Sequence, residues 1–168
     1  MNQTWDKGFY ELRVVKRFRN PEIDRLIESH GRKVIILGDA SIGHYLAVGI
    51  NESDGEVVAL LDDDDAFVKR KLEYVYEHVY NRNDVVYFHH LAYVIDGQNR
   101  LLGKSFGGPN RTVVINPRAR REVRRVLRKY GLIGSLMSAA VIRRELITRY
   151  LKPLETIITG PDTFTFLA

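Results

Sequence analysis

An apolar strand that leads directly into four carboxylates is the feature that most constrains this chain. Residues 57–61 are all apolar, and Asp62, Asp63, Asp64 and Asp65 follow at once. Because the apolar run shows no alternation, it is typical of a strand covered on both faces, as in a parallel sheet. Four adjacent carboxylates repel one another, so the cluster costs stability unless a cation neutralises it.

The position of this acidic cluster predicts a metal site. In open α/β sheets, ligands bind just outside the carboxyl ends of the strands. Carboxylate oxygens at such a strand end suit Mg²⁺ or Mn²⁺, which also keep coordination positions free for substrate phosphates. We therefore expect Mn²⁺ or Mg²⁺ at this turn, and the alternative is a solvated acidic turn.

The first 65 residues alternate between strand and helix patterns. Asn20 is expected to cap the first helix, with Pro21 at its first position. Asp39 or Ser41 is expected to open the second helix. The strand patterns cover residues 10–16, 33–37 and 57–61. This order predicts an α/β fold with a mostly parallel, Rossmann-like sheet flanked by helices.

The second half of the chain changes to a β-hairpin pattern. An amphipathic helix over residues 67–81 precedes one long strand at 84–95, and Asp96-Gly97 is a hairpin signal. Shorter strands are predicted at 101–102 and 112–115 and a buried strand at 138–142, with the turn 107–109 between the first two. We expect a single domain over residues 1–168, with a small hairpin region in its second half.

Composition narrows the class of protein. The chain has 168 residues, of which 45% are hydrophobic and 28% charged, as in ordinary globular domains. The sequence predicts neither a membrane span nor a signal peptide. With no Cys it has no disulfides or thiolate zinc sites, which fits a reducing interior, so a cytoplasmic protein is expected. Its 26 Lys and Arg against 21 Asp and Glu give +5, a mild excess that favours anionic partners.

A strongly basic amphipathic helix is predicted between Pro117 and Gly131. From Arg118 to Lys129 it carries seven basic residues and a single acid, Glu122. Such a helix can lie on an anionic membrane or follow phosphates, so peripheral membrane association is one interpretation. A solvated surface helix is the other interpretation.

Residues 55–73 resemble the DxD region of family-2 glycosyltransferases with the GT-A fold. In that family a "GE-hydrophobic-DxDD" strand end is followed by an aromatic residue and a "KLE"-like helix. The matching residues here are Gly55, Glu56, Asp62, Asp64, Asp65, Phe67, Lys71, Leu72 and Glu73.

Three further segments resemble the same family in the same order. Residues 2–5 are similar to the "NQT-aromatic" end of its first helix, and residues 138–146 to its acceptor-side strand and "RRE" helix start. Residues 160–164 are similar to its "G-E-D-x-x-F" segment, with Pro161 in place of Glu. On this alignment the family's first strand and most of its first helix are absent, and a version extended upstream is expected to be more stable. Residues 16–19 are basic where the family has an acidic "DDGS" turn.

The resemblance implies a function and a set of site residues. It implies an inverting, metal-dependent transfer of a sugar from a nucleotide-sugar donor to a glycan, lipid-linked or protein acceptor. Asp62 and Asp63 would contact the nucleotide sugar, and Asp62, Asp64 and Asp65 would hold or orient the metal. Asp162 would be the general base, although it could instead cap the segment that follows it. Residues 1–65 would form the donor half, and residues 66–168 the acceptor half.

The sequence also allows other interpretations of its histidines and of its function. His89 and His90 follow a strand, so alternation directs them to opposite faces, and we interpret them as strand-end packing or acceptor-side residues. We interpret His44 and His78 as residues on helix surfaces, and none of the four histidines as a metal ligand. A nucleotidyltransferase also uses clustered carboxylates, but it usually has a Gly-rich phosphate loop that is not visible here. The alternatives are a non-catalytic or truncated GT-A-like domain, or a basic module that binds nucleic acid or a membrane surface. We do not expect nucleic acid to be a partner.

Overall fold

The computed structural model describes residues 3–106, 112–116, 118–130 and 135–167. The strands in these ranges are β1 (Arg13–Lys16), β2 (Lys33–Ile36), β3 (Val57–Ala59), β4 (Tyr87–His89), β5 (Ala92–Ile95), β6 (Leu101–Phe106) and β7 (Ala140–Arg143). The α-helices are α1 (Pro21–Glu28), α2 (Ile42–Asn51), α3 (Lys71–Val75), α4 (Arg120–Tyr130), α5 (Arg144–Ile147), α6 (Leu151–Glu155) and α7 (Pro161–Leu167). A π-helical turn, Tyr76–Tyr80, extends α3.

The first part of the chain folds as its local signals predict. β1 and β2 pair in parallel, and the α1 crossover joins them. The side chain of Asn20 accepts a 3.2 Å hydrogen bond from the main-chain N–H of Ile23, and Pro21 is the first residue of α1. Ser41, rather than Asp39, caps α2 by accepting from the N–H of His44 at 3.1 Å. These caps satisfy main-chain N–H groups that the helix itself leaves unpaired.

The central sheet differs from the mostly parallel sheet that the sequence predicts. Its strand order is β3-β7-β4, and β7 runs antiparallel to both neighbours. β5 and β6 form a separate antiparallel hairpin. The α/β class therefore holds, but the described sheets are small and mixed, with a parallel pairing only between β1 and β2. Because β7 lies between β3 and β4, those two strands run in the same direction and end at the same edge.

The single strand predicted over residues 84–95 is two strands in two sheets. β4 pairs with β7, whereas β5 leaves this sheet and pairs with β6. The chain changes partner at His90, whose main-chain N–H still donates to the carbonyl of Ala139 at 3.3 Å. The hairpin turn forms as predicted, since a side-chain oxygen of Asp96 accepts from the N–H groups of Gln98 and Arg100, each at 2.9 Å. The interruption of the strand places both histidines beside the start of β7.

β7 is the strand that the core covers on both faces. Ala140, Val141 and Ile142 are each 0% exposed, whereas the residues of β3 are only half-buried. Ala140 and Ile142 belong to the larger core, and Val141 belongs to a smaller cluster on the other face. The larger core also contains residues of α2, α5 and α6, namely Ala47, Ile50, Ile147 and Leu154. Burial of one Val, Leu or Ile side chain stabilises the fold by about 1.5–3 kcal/mol.

Helices α2 and α6 pack unusually closely. A methyl group built on Gly43 would lie 2.0 Å from the carbonyl oxygen of Leu154, so only glycine fits at this crossing. The N–H of Gly43 also donates to the carbonyl of Ile157 at 3.1 Å. Three positions that the sequence singles out, Pro117, Gly131 and the turn 107–109, lie outside the described residues. Residues 112–115, predicted as a strand, have no regular secondary structure.

Candidate active site at the carboxyl ends of β3 and β4

The acidic turn is anchored to the beginning of β7. The main-chain N–H of Leu60 donates to the carbonyl of Ala140 at 3.2 Å, just beyond the end of β3. Two residues later, the main-chain N–H of Asp62 donates to the hydroxyl of Ser138 at 2.8 Å. The N–H of Asp65 then returns to the carbonyl of Asp62 at 3.4 Å and closes a turn. The turn therefore has a fixed base at Asp62 and an outer part that faces solvent.

The four carboxylates do not share one environment. Asp62 is half-buried, and Asp63, Asp64 and Asp65 are exposed. Burial raises the pKa of Asp62, and the charges of Asp65, Asp64 and Asp63 raise it further. Among the described residues, no Lys or Arg side chain forms an ion pair with any of the four. The turn consequently carries negative charge that no ion pair with a described side chain neutralises.

These carboxylates fit a cation that is shared with a ligand. Within the described ranges, no three His, Asp or Glu side chains are grouped so as to hold a metal ion by themselves. Mg²⁺ usually needs only one or two protein carboxylates, because substrate phosphates and water complete its coordination. The turn at Asp62–Asp65 offers only oxygen ligands and has no ion-pair partner in the part of the chain that the structure describes, so it is suited to a cation whose coordination is completed by phosphates and water. His44, His78, His89 and His90 form no such group with it.

Asp162 lies in the first turn of α7, close enough to Asp62 for its charge to contribute to the raised pKa of Asp62. Its Oδ2 accepts from the main-chain N–H of Leu136 at 3.0 Å, and its Oδ1 accepts from the N–H of Thr163 at 2.8 Å. The second bond is to the next residue in the chain, and because Asp162 is the second residue of α7, this bond is not the N-cap contact that the capping alternative requires. The first bond ties the carboxylate to the segment that leads into β7. Asp162 is half-buried, so one side of it remains open to solvent.

Sequence reasoning missed the residues that surround Asp162. Leu136 has a φ of +80°, a conformation that non-glycine residues rarely adopt and that tends to occur at functional sites. The hydroxyl of Tyr87 is buried without a hydrogen-bond partner among the described residues. Burial raises the pKa of Tyr87, and the charge of Asp162 adds to that rise. Alternation along β4 gave the only sequence signal, since it places Tyr87 and His89 on one face.

His89 and His90 point to opposite faces, as alternation predicts. His89 Nε2 donates to the carbonyl of Ser135 at 2.7 Å, on the side of Asp162. His90 contacts Lys71 instead, with its Nε2 against the ammonium nitrogen of that residue. Lys71 is another residue that the sequence did not single out beyond its family motif. It is only 3% exposed, and burial lowers its pKa to about 7.

The amino-terminal segment packs against the chain that follows the acidic turn. The N–H of Thr4 donates to the carbonyl of Lys69 at 2.9 Å, and the side chain of Gln3 donates to the carbonyl of Val68 at 3.0 Å. The ring of Trp5 lies 4.5 Å from that of Tyr76. Gln3, Thr4 and Trp5, the described part of the "NQT-aromatic" segment, thus help to hold the connection between the acidic turn and α3.

Comparison with known proteins assigns the family. No curated protein and no solved structure matches the chain. A sequence model of the family described as "Glycosyl transferase family 2" matches residues 13–151, which include the acidic turn, β4 and β7. The matched region covers most of the chain, and the chain therefore belongs to glycosyl transferase family 2.

Proposed function

We propose that this protein is an inverting, metal-dependent glycosyltransferase that moves a sugar from a nucleotide-sugar donor to a hydroxyl group of an acceptor. Family membership supports glycosyl transfer in general. The observation that carries the finer proposal is that one short segment, residues 135–138, contacts both the acidic turn and Asp162: the hydroxyl of Ser138 accepts from the N–H of Asp62 at 2.8 Å, and the N–H of Leu136 donates to the carboxylate of Asp162 at 3.0 Å. A turn for the diphosphate and a separate carboxylate for the acceptor are what a one-step displacement requires.

On the donor side, Asp62 and Asp63 contact the nucleotide sugar, and Asp62, Asp64 and Asp65 hold or orient Mn²⁺ or Mg²⁺. When bound, the cation neutralises the diphosphate and stabilises the charge that develops on the departing nucleotide. The exposed position of Asp63–Asp65 leaves them accessible to such a ligand. The hydrogen bond from Asp62 to Ser138 keeps the base of the turn in place while the outer carboxylates adapt.

On the acceptor side, Asp162 is the general base. It removes the proton from the attacking hydroxyl as the new carbon–oxygen bond forms and the bond to the diphosphate breaks. Attack from the face opposite the diphosphate inverts the anomeric centre. We expect the carboxylates of Asp162 and Asp64 to be separated by about one sugar ring, on the order of 8–12 Å. In this scheme residues 1–65 form the donor half and residues 66–168 the acceptor half of one domain.

We also propose that the protein is cytoplasmic and makes a peripheral contact with an anionic membrane through the basic segment from Arg118 to Lys129, most of which lies on α4. An open hollow of about 480 Å³ is lined entirely by basic side chains of α4: Arg121, Arg124, Arg125, Arg128 and Lys129. Val126 on the opposite side of this helix is buried. A surface that carries phosphate groups attracts such a basic face by charge alone. Within the described ranges, no helix is long and apolar enough to cross a bilayer.

The membrane proposal is tested by sedimentation with vesicles of phosphatidylglycerol or phosphatidylcholine. Replacing Arg121, Arg124, Arg125 and Arg128 by Gln should abolish binding to the anionic vesicles. The matched control replaces four exposed arginines elsewhere by Gln, and it should retain most of the binding to anionic vesicles; these are Arg17, Arg70, Arg82 and Arg149. Equal binding to both lipids, or salt-sensitive binding to nucleic acid alone, would contradict the membrane contact.

A screen of uridine and guanosine diphosphate sugars with Mn²⁺ tests the catalytic proposal. Donor binding should require Asp64, so Asp64→Asn should lose it. Asp162→Asn should retain donor binding and lose transfer to the acceptor. Transfer that persists in Asp162→Asn would remove Asp162 as the base. Donor binding without transfer to any hydroxyl acceptor would favour the second candidate, a non-catalytic GT-A-like domain.

A further inference from the structure

We infer that His89 is a positioning residue for Asp162 and acts through the peptide group between Ser135 and Leu136. This inference rests on the proposed role of Asp162 as the general base. The geometry behind it is a short chain of hydrogen bonds, from the imidazole of His89 through one peptide group to the carboxylate of Asp162.

The two ends of a single peptide group are bound by two different side chains. Its carbonyl oxygen, on Ser135, lies 2.7 Å from His89 Nε2. Its N–H, on Leu136, donates to Asp162 Oδ2 at 3.0 Å. Since the oxygen and the N–H of a trans peptide point in opposite directions, the imidazole and the carboxylate hold this group from opposite sides.

The hydrogen-bond chain has a defined direction. A carbonyl oxygen can only accept, so Nε2 of His89 must carry the proton. The N–H of Leu136 then donates to the carboxylate. Hydrogen bonds in series polarise one another, and donation by His89 to the carbonyl strengthens the donation by Leu136 to Asp162. The imidazole and the carboxylate are therefore linked without touching each other.

The peptide group needs such support because its conformation is unfavourable. Leu136 has a φ of +80°, and a leucine held there costs free energy unless the surroundings fix it. The carbonyl bond from β4 and the carboxylate bond from α7 supply two fixed points. If the first is lost, the N–H of Leu136 is free to turn away from Asp162. The carboxylate would then lose the donor that orients it toward the acceptor.

β4 is a suitable element from which to hold the base. His89 pairs with the fully buried Ala140 of β7, and its ring stacks 6.4 Å from that of Tyr87. The imidazole therefore sits on a rigid strand, whereas Asp162 sits at the start of a short helix. Burial, the largest cause, lowers the pKa of His89 and so favours the neutral form of the ring.

Two substitutions of His89 distinguish the effect of its N–H donor from the effect of its ring. His89→Gln keeps an N–H donor near the position of Nε2 but removes the ring. His89→Phe keeps the ring and its packing but removes the donor. His30→Phe, at an exposed histidine that bonds only locally, is the control for losing an imidazole.

The first readout is the amide resonance of Leu136 in ¹⁵N-labelled protein. In the native protein, Asp162→Asn should shift this resonance, because the amide donates to that carboxylate. The shift should persist on top of His89→Gln and disappear on top of His89→Phe. The inference would be overturned if Asp162→Asn shifted the Leu136 amide as much in the His89→Phe background as in the native protein. It would also be overturned if the shift were lost in the His89→Gln background. Neither result depends on transfer activity.

The second readout is the transfer reaction. His89→Phe should lower kcat by about 10- to 100-fold, the cost of a misplaced catalytic group, and leave KM for the donor within about twofold. His89→Gln should restore most of kcat, and His30→Phe should behave as the native protein. Activity kept by His89→Phe but lost in His89→Gln would show that ring packing matters and would overturn the inference. If Asp162→Asn retained transfer, Asp162 would not be the general base. The amide resonance of Leu136 would still test whether His89 is linked to Asp162 through the peptide group.

Discussion

The main-chain N–H of Asp62 donates a 2.8 Å hydrogen bond to the hydroxyl of Ser138, although 76 residues separate them. Ser138 stands two residues after Leu136, whose N–H donates to Asp162. The short segment 135–138 thus contacts both the acidic turn and the second carboxylate. Because this segment leads into β7, the strand between β3 and β4, the central sheet sets the positions of both groups.

Ser138→Ala should loosen the acidic turn. The N–H of Asp62 would lose its partner in a half-buried position, at a cost of about 1 kcal/mol in the free energy of unfolding. The response of the melting temperature to Mn²⁺ with a nucleoside diphosphate should also shrink. Ser53→Ala, which removes a 2.7 Å hydrogen bond to the carbonyl of Ile50, is the matched control. It should lower stability similarly but leave the ligand response intact; equal responses in both variants would refute the role of Ser138.

Gly43→Ala should destabilise the fold strongly. The added methyl group would meet the main-chain oxygen of Leu154 at 2.0 Å, and neither helix can yield without separating α2 from α6. We expect a loss of about 2–4 kcal/mol, measured by urea unfolding. Gly49→Ala on the same helix meets only a side-chain methyl of Val15, at 3.2 Å, and should be near neutral. Similar stabilities for the two variants would argue against this close helix crossing.

Lys71→Met should change how stability depends on pH. Burial lowers the pKa of Lys71 from 10.5 to about 7, so between these values the unfolded chain binds more protons than the folded chain. The free energy of unfolding should therefore rise with pH above about 7 in the native protein, and this contribution should be missing in Lys71→Met. Below about pH 7 the variant should be the more stable, by on the order of 3–5 kcal/mol at most.

The comparison of Lys71 with its variant is made between about pH 7 and 9. In the upper part of that range, above about pH 8, His90 adds almost no slope, because it is neutral in the folded chain, where burial lowers its pKa to about 4, and also in the unfolded chain, where its pKa is 6.5. Arg70→Met, at the exposed neighbouring position, should leave the slope unchanged. Parallel stability curves for native protein and Lys71→Met would show that the ammonium group is not desolvated as described.

Local sequence signals predicted the parts of the fold that depend on neighbours in the chain. The caps Asn20 and Ser41 and the Asp96 turn form as expected, because each needs only residues a few positions away. The antiparallel insertion of β7 was not predictable, since strand direction is decided by pairing across some 80 residues. The same long-range pairing divides the apolar run at 84–95 between two sheets.

The candidate site shows the same division. The acidic turn is a contiguous motif, and its carboxylates were identified directly from their position after an apolar strand. Ser138, Leu136 and His89 contribute through a hydroxyl, a main-chain N–H and a ring nitrogen that become relevant only when β3, β4 and β7 assemble. No sequence pattern predicts the positive φ of Leu136. The proximity of Asp62 and Asp162 likewise depends on topology.

The shared binding of a divalent cation and a nucleoside diphosphate at the acidic turn is the central claim, and thermal melting tests it most directly. Mn²⁺ with uridine or guanosine diphosphate should raise the melting temperature by more than the two separate shifts combined, because ligands that bind only the folded state stabilise it. Asp64→Asn should abolish this joint shift, and Asp84→Asn, at an exposed carboxylate paired with Arg82, should retain it. No joint shift with either diphosphate, or an undiminished one in Asp64→Asn, would contradict the account.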